Sequence, residues 1–207
     1  LTFRLRRETS ETQPPSWPLS LLQNLARYVF SSGNTFDAGH YMSLNSAIAL
    51  GYETQLRAVL FVRDPELGDI ATPHGRLSFL QVVGITLSEL SSVRAWDAEK
   101  FSAAALSRLP LWVTDLDRSS LTDDEQIART IREGIQHDGS STAFLYVGAA
   151  AWELRRRLLR QQLVLTFGAN GVRDLRVVLP GRLPHDRRLV VASGTHVVTL
   201  ESGDRCS

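Results

Sequence analysis

Two dense apolar runs, Gln55 to Val62 and Leu77 to Ile85, constrain this chain more than any other feature. Both are rich in Val, Leu and Phe and short enough for strands, and they read as buried strands of one sheet. Upstream the period changes. Pro18 suits the first turn of a helix, and Leu19, Leu22, Leu25, Ala26 and Val29 recur at helical spacing until Gly33 supplies a stop. One face of that helix must pack on a sheet. The predicted class is therefore α+β, a mixed sheet packed with helices.

The remaining pattern fills in around this pair. Leu1 to Leu5 alternates apolar and polar residues like a half-buried strand, the polar run Arg6 to Gln13 turns the chain, and Asn34 to Gly51 reads as a loop. Asp64-Pro65 and Thr72-Pro73 mark the connection between the two central strands. Thr86 and Glu89 have the capping-box spacing, which predicts a helix there and a second one across Trp96 to Leu109, ended by Pro110. Leu111 to Thr114 reads as a short strand. Thr122 to Glu125 repeats the capping signature, and Ile127, Ile131 and Ile135 place an apolar stripe on a helix that Gly139 closes.

Small polar residues at Asp138 to Thr142 suggest a boundary, giving domains of residues 1–142 and 143–207. The second is expected to be a partial, β-rich domain. It opens with a strand at Phe144 to Val147 and an amphipathic helix over Ala150 to Gln161. Strands then follow near Leu163 to Phe167, Leu175 to Leu179, Leu189 to Ala192 and His196 to Leu200, with turns at Ala169-Asn170-Gly171 and Ser193-Gly194.

Composition excludes some classes. Apolar content of 43% and charged content of 22% suit a folded, soluble chain. No apolar run approaches the roughly 18 to 20 residues that span a bilayer, and the N-terminus has neither signal-peptide nor transit-peptide character. The lone cysteine, Cys206, can form no intramolecular disulfide, which fits a reducing, cytoplasmic setting. The net charge of +1 provides no general basic field for nucleic acid, although residues 1–144 carry thirteen basic against seventeen acidic residues and residues 145–207 carry ten against five. All but Lys100 of the 23 basic residues are arginine, a bias that favours a bacterial source.

No motif demands catalysis. G-x-S-x-G is absent, Cys206 stands in a polar tail, and His40, His74, His137, His185 and His196 lack the spacing of metal ligands. Gly168 and Gly171 follow a strand but match no phosphate-loop motif, and with another strand expected next they read as hairpin glycines. His185 reads as a hydrogen-bonded structural residue. Arg155, Arg156, Arg157 and Arg160 are read as the solvated face of the helix expected over Ala150 to Gln161, set against apolar Trp152 and Leu159, with an acidic protein partner as the functional alternative. No catalytic residue, metal, cofactor, small-molecule substrate or membrane partner is assigned.

The order of motifs closely resembles the suppressor of fused family. LTFRL (Leu1 to Leu5), the Pro-Pro-x-Trp-Pro of Pro14 to Pro18, LARYVF (Leu25 to Phe30) and NTF (Asn34 to Phe36) are followed by Asp64-Pro65, Thr72 to Gly75 and FLQVVG (Phe79 to Gly84). WVTD (Trp112 to Asp115), DGS (Asp138 to Ser140), LVLTF (Leu163 to Phe167) and PGRLPHDR (Pro180 to Arg187) complete the series. Against that family the chain reads as truncated at both ends.

The resemblance implies a non-enzymatic, protein-binding module of two α+β domains. In animals the family sequesters a transcription factor of the Hedgehog pathway, its two domains closing on a peptide that adds a strand. Similar bacterial domains look like immunity proteins that neutralise toxins, the role favoured here. Tyr28 matches a family aromatic that lines the cleft, while His40 and Arg63 stand where the animal proteins have acids that receive a peptide histidine. The reversed sign implies an acidic partner and poor binding of the animal peptide. An uncharacterised enzyme and a nucleic-acid-binding domain are the readings from other classes.

Overall fold

A computed structural model describes residues 1–9, 11–44, 46–157, 160–194 and 196–203. The chain divides into two compact units, the first made of Leu1–Val93 with Ala98–Ile131 and the second of Arg94–Asp97 with Arg132–Ser207. The class is α+β, as the sequence predicts.

The first unit is built on a four-stranded mixed sheet of β1 (Thr2–Phe3), β2 (Tyr41–Ser43), β3 (Leu56–Arg63) and β6 (Leu80–Thr86), in the order β1-β6-β3-β2. The two apolar runs are the antiparallel centre, β3 against β6, and β1 joins β6 in parallel. Consecutive residues Ala58 to Val62 are all buried, so β3 is covered on both faces, which explains an apolar run without alternation. Helix α1 (Trp17–Ser32) lies on one face, where Leu25 and the partly buried Trp17, Leu21 and Leu22 join Val59, Phe61 and Val82 in one core. Gly33 ends α1 at φ 73, with its N–H on Val29 O at 2.9 Å.

The capping box at Thr86 forms as its spacing requires. Thr86 N donates to Glu89 Oε2 at 2.9 Å and Glu89 N to Thr86 Oγ1 at 3.2 Å, starting α2 (Leu87–Ala95), which is followed by α3 (Ala98–Ala105). Glu89 is fully buried, and Arg118 Nη1 and Nη2 meet its carboxylate at 2.5 and 2.7 Å.

Several local expectations change. The connection after Asp64-Pro65 holds a hairpin, β4 (Asp69–Thr72) with β5 (Gly75–Ser78), so the second apolar run is divided between β5 and β6. Leu111 to Thr114 is not a strand. Leu111 and Trp112 take φ of 53 and 56 in a 3-10 turn, held by Gln81 Nε2, which donates to both of their carbonyls at 3.0 and 2.9 Å. Only Thr114 pairs, in an isolated parallel bridge with Leu5. Helix α4 (Glu125–Asp138) starts later than the Thr122 signature suggests, because Asp124 Oδ1 accepts Gln126 N and Ile127 N at 3.0 and 3.1 Å while Ser120 caps the short turn before it. Ile127 and Ile131 are buried and Ile135 is half-buried.

The second unit holds a three-stranded sheet of β7 (Phe144–Tyr146), β10 (Leu189–Ser193) and β11 (His196–Leu200), in the order β11-β10-β7, and a separate ribbon of β8 (Ala150–Arg157) with β9 (Arg160–Phe167). Helix α5 (Ala169–Val178) packs Leu175 and Val178 onto Leu145, Leu189 and Val191.

Three expectations fail here, the first being the strand near Leu175 to Leu179, which lies instead in α5 and the 3-10 turn that follows it. The helix expected over 150–161 is, at the described residues 150–157 and 160–161, part of a β-ribbon, in which register aligns Ala150, Trp152 and Leu154 with Phe167, Leu165 and Leu163. Ala, Glu, Leu and Arg favour a helix locally, but pairing apolar residues across the ribbon overrides that preference. The arginine run is therefore no helix face. Arg157 stands opposite Arg160, and Leu159, like Cys206, is outside the described residues. Gly168 and Gly171 do not make a hairpin. Gly168 precedes α5, and Gly171 is within it because a Cβ there would stand 3.1 Å from Val147 Cγ1.

Candidate functional site

Tyr28, His40 and Arg63 come from three elements of the first unit and converge on one residue of β3, Phe61. Gly33 turns the chain out of α1, and the Asn34 to Phe36 loop then folds back so that Phe36 stands between two rings. Tyr28 stacks on Phe36 at 5.6 Å between centroids, and Phe36 stacks on Phe61 at 4.1 Å. Phe61 is fully buried and Tyr28 is 38% exposed, so the stack is a rigid column with its outer ring in solvent. The Tyr28 hydroxyl accepts from Asn34 Nδ2 at 3.2 Å.

His40 reaches the same place through its backbone. Gly39 N donates to Phe61 O and Phe61 N to His40 O, both at 2.8 Å, and this pairing leads directly into β2. Its ring is exposed, and Nδ1 accepts the Asp37 N–H at 3.1 Å. Arg63 lies two residues beyond Phe61, where alternation returns its side chain to the Phe61 side of β3. It forms an ion pair with Asp69, and Arg76 Nε stands 3.9 Å from the same carboxylate.

Two guanidiniums thus share one acid, so this corner keeps a net positive charge, partly masked by Asp69. The three candidate residues do not bond to one another. Each has its own local partner.

Beside Tyr28 runs a groove of about 480 Å³, bounded by Trp17, Leu21 and Leu25 of α1 and by Met42, Leu44 and Ile48. Its floor includes β2, the last strand of the sheet, so a strand edge and an apolar groove flank the same tyrosine. Sequence reasoning missed Phe36 and Phe61 as supports, Asp69 and Arg76 as charge partners, and β2 itself. Phe36 had a signal, its place in the NTF loop. The Asp69 pair and the three-residue strand had none, because both depend on pairing between distant segments.

The family model for suppressor of fused protein (SUFU) matches residues 1–119, more than half of the chain and all of the Tyr28, His40 and Arg63 region. The chain belongs to the suppressor of fused family. The suppressor of fused homologs of Homo sapiens and Mus musculus are each 36% identical to it over 162 residues, covering 75% of this chain and 33% of theirs. The chain thus spans about a third of the length of the curated relatives it matches. Drosophila Suppressor of Fused has the same fold, with a TM-score of 0.73 at 18% identity over 95% of this chain and 58% of that one. The crystal structure of a Sufu–Fu complex contains a chain with a TM-score of 0.53 at 28% identity, covering 62% of this chain and 54% of that one. No helix among the described residues is long and apolar enough to cross a membrane.

Proposed function

We propose that this chain is a non-enzymatic module that binds an extended segment of a partner protein on the Tyr28 face of its first unit. The carrying observation is the exposed tyrosine held on a column of two phenylalanines beside an apolar groove and a strand edge. Such a face meets a peptide in two ways: main-chain hydrogen bonds along the edge supply affinity, and the rigid aromatic supplies an anchor. Family membership supports the reading, since a related Sufu chain was crystallised with Fu. Arg63 and Arg76, sharing Asp69, favour an acidic group at one end of that segment.

In role, the module sequesters its partner. Neutralisation of a toxin is the role we favour, on the arginine-rich, lysine-poor composition. The second reading, restraint of a transcriptional regulator, is supported by the 36% identity to the human homolog. Affinity capture from the native host with wild type and the Tyr28→Ala, Arg63→Glu double variant tests the face, and mass spectrometry of the captured protein separates the roles. Tyr28→Ala should cost roughly 1 to 3 kcal/mol of affinity. Equal retention of the partner by wild type and double variant would refute the face.

A further inference from the structure

Two motifs that are distant in sequence, Asp138-Gly139-Ser140 and the Gly181 to Arg187 loop, meet inside the second unit. Glycine is required on both sides. A Cβ on Gly139, which has φ +67, would lie 2.3 Å from Gly181 O, and one on Gly181 would lie 2.8 Å from Ser140 N. The close approach carries Ser140 N to Gly181 O at 2.7 Å and presents the Ser140 carbonyl to two arginines. Arg182 Nη1 donates to it at 2.9 Å and Arg187 Nη1 at 3.3 Å, while Arg182 Nε donates to Arg188 O at 2.8 Å.

Arg182 is only 6% exposed, yet the acceptors it meets are neutral carbonyls. The acids nearest in sequence are occupied: Asp138 accepts Trp96 Nε1 at 2.8 Å and faces His137, and Asp186 accepts the Ser202 hydroxyl. Among the described residues neither guanidinium is bonded to a carboxylate. Burial, and after it the Arg187 charge, lowers the Arg182 pKa from the usual arginine value. A buried cation beside a second cation, with only carbonyls to hold it, is an unfavourable arrangement unless an anion joins it.

We propose that Arg182 and Arg187 form an oxyanion site for a phosphate group, either free phosphate or a phosphomonoester. A dianion matches two like charges, and a tetrahedral oxyanion offers separate oxygens to two guanidinium forks. Arg187 is exposed and gives the approach from solvent, while Arg182 behind it is pre-oriented by the Ser140 and Arg188 carbonyls. The site is independent of the Tyr28 face and stands or falls separately.

The test is titration of inorganic phosphate into the full chain at constant ionic strength, read by thermal unfolding and by calorimetry, with chloride as the control. Phosphate should raise the midpoint saturably, and Arg187→Gln should weaken the apparent affinity about tenfold, the loss of one charge-assisted contact. Arg187 is the residue to vary, since Arg182→Gln removes a buried clamp and can unfold the unit; Arg187→Lys should recover part of the loss. A parallel titration with O-phospho-L-serine identifies the source: tighter binding than inorganic phosphate assigns a phosphomonoester, and weaker binding assigns free phosphate. If phosphate and chloride act alike, or Arg187→Gln responds as wild type does, the site does not exist and Arg182 is a structural clamp alone.

Discussion

Asp64 has a fully buried side chain and is the residue whose replacement should expose most clearly how β1 is held. Its Oδ1 accepts Arg4 Nη2 at 2.9 Å and the N–H groups of Glu66 and Leu67, both at 3.0 Å, and its Oδ2 accepts Arg4 Nη1 at 3.1 Å and the Thr2 hydroxyl at 2.6 Å. Asp64→Asn preserves shape and the turn contacts at Oδ1 but points an amide N–H at the guanidinium. Both bonds to Oδ2, from Arg4 Nη1 and the Thr2 hydroxyl, are lost, the Nη2 bond to Oδ1 loses its negative partner, and Arg4, whose side chain is 20% exposed, keeps Glu66 and Gln81 as partners. The expected loss is about 2 to 4 kcal/mol. Hydrogen bonding from Arg4, then from Thr2 and the two backbone N–H groups, holds the carboxyl well below the usual carboxylate range against the opposing effect of burial.

A depressed folded pKa gives stability that is complete above the unfolded value, about 4, and is lost as pH falls below it toward the folded value. In urea titrations the gap between wild type and Asp64→Asn should be flat from pH 8 to about 5 and narrow below about pH 4. In an Arg4→Met background the Asn substitution should cost much less, since the ion pair is already gone. A gap below about half a kcal/mol at pH 7, or one unchanged down to pH 3, would refute this account.

Two further changes test the helices. Ile131 is 4% exposed, and Ile131→Ala should destabilise by about 2 to 4 kcal/mol on chemical denaturation, a loss below about 0.5 showing that the α4 stripe is peripheral. Gly134→Ala would normally favour a helix by about 1 kcal/mol, but its Cβ would lie 2.2 Å from Trp96 Cε2, so the melting temperature should fall. A rise would mean that Trp96 does not pack on this turn.

Legibility followed the range of the interactions. The α1 stop at Gly33 and the Thr86–Glu89 capping box are closed by atoms a few residues apart, and residue order predicts both. The aromatic column was half legible, since Tyr28 and the NTF loop stand out in sequence but their contact with Phe61 does not. Arg63 stood out as a reversed charge, yet its masking by Asp69 depends on a hairpin that the sequence does not announce. Gly171 was misread because a glycine chosen for close approach to Val147 looks the same in sequence as one chosen for a turn.

The sequence alone determined the α+β class, the buried central strands and the family, because dense apolar runs, caps and an ordered series of motifs are properties of the chain's order. Only the tertiary structure decided that residues 150–157 extend rather than coil, that Leu111 and Trp112 take left-handed backbone beneath the Gln81 amide, and that Arg182 and Arg187 meet at one carbonyl. The physical reason is common to all three. Local preference amounts to about a kcal/mol or less per residue, and pairing, burial and hydrogen bonding with segments far along the chain outweigh it.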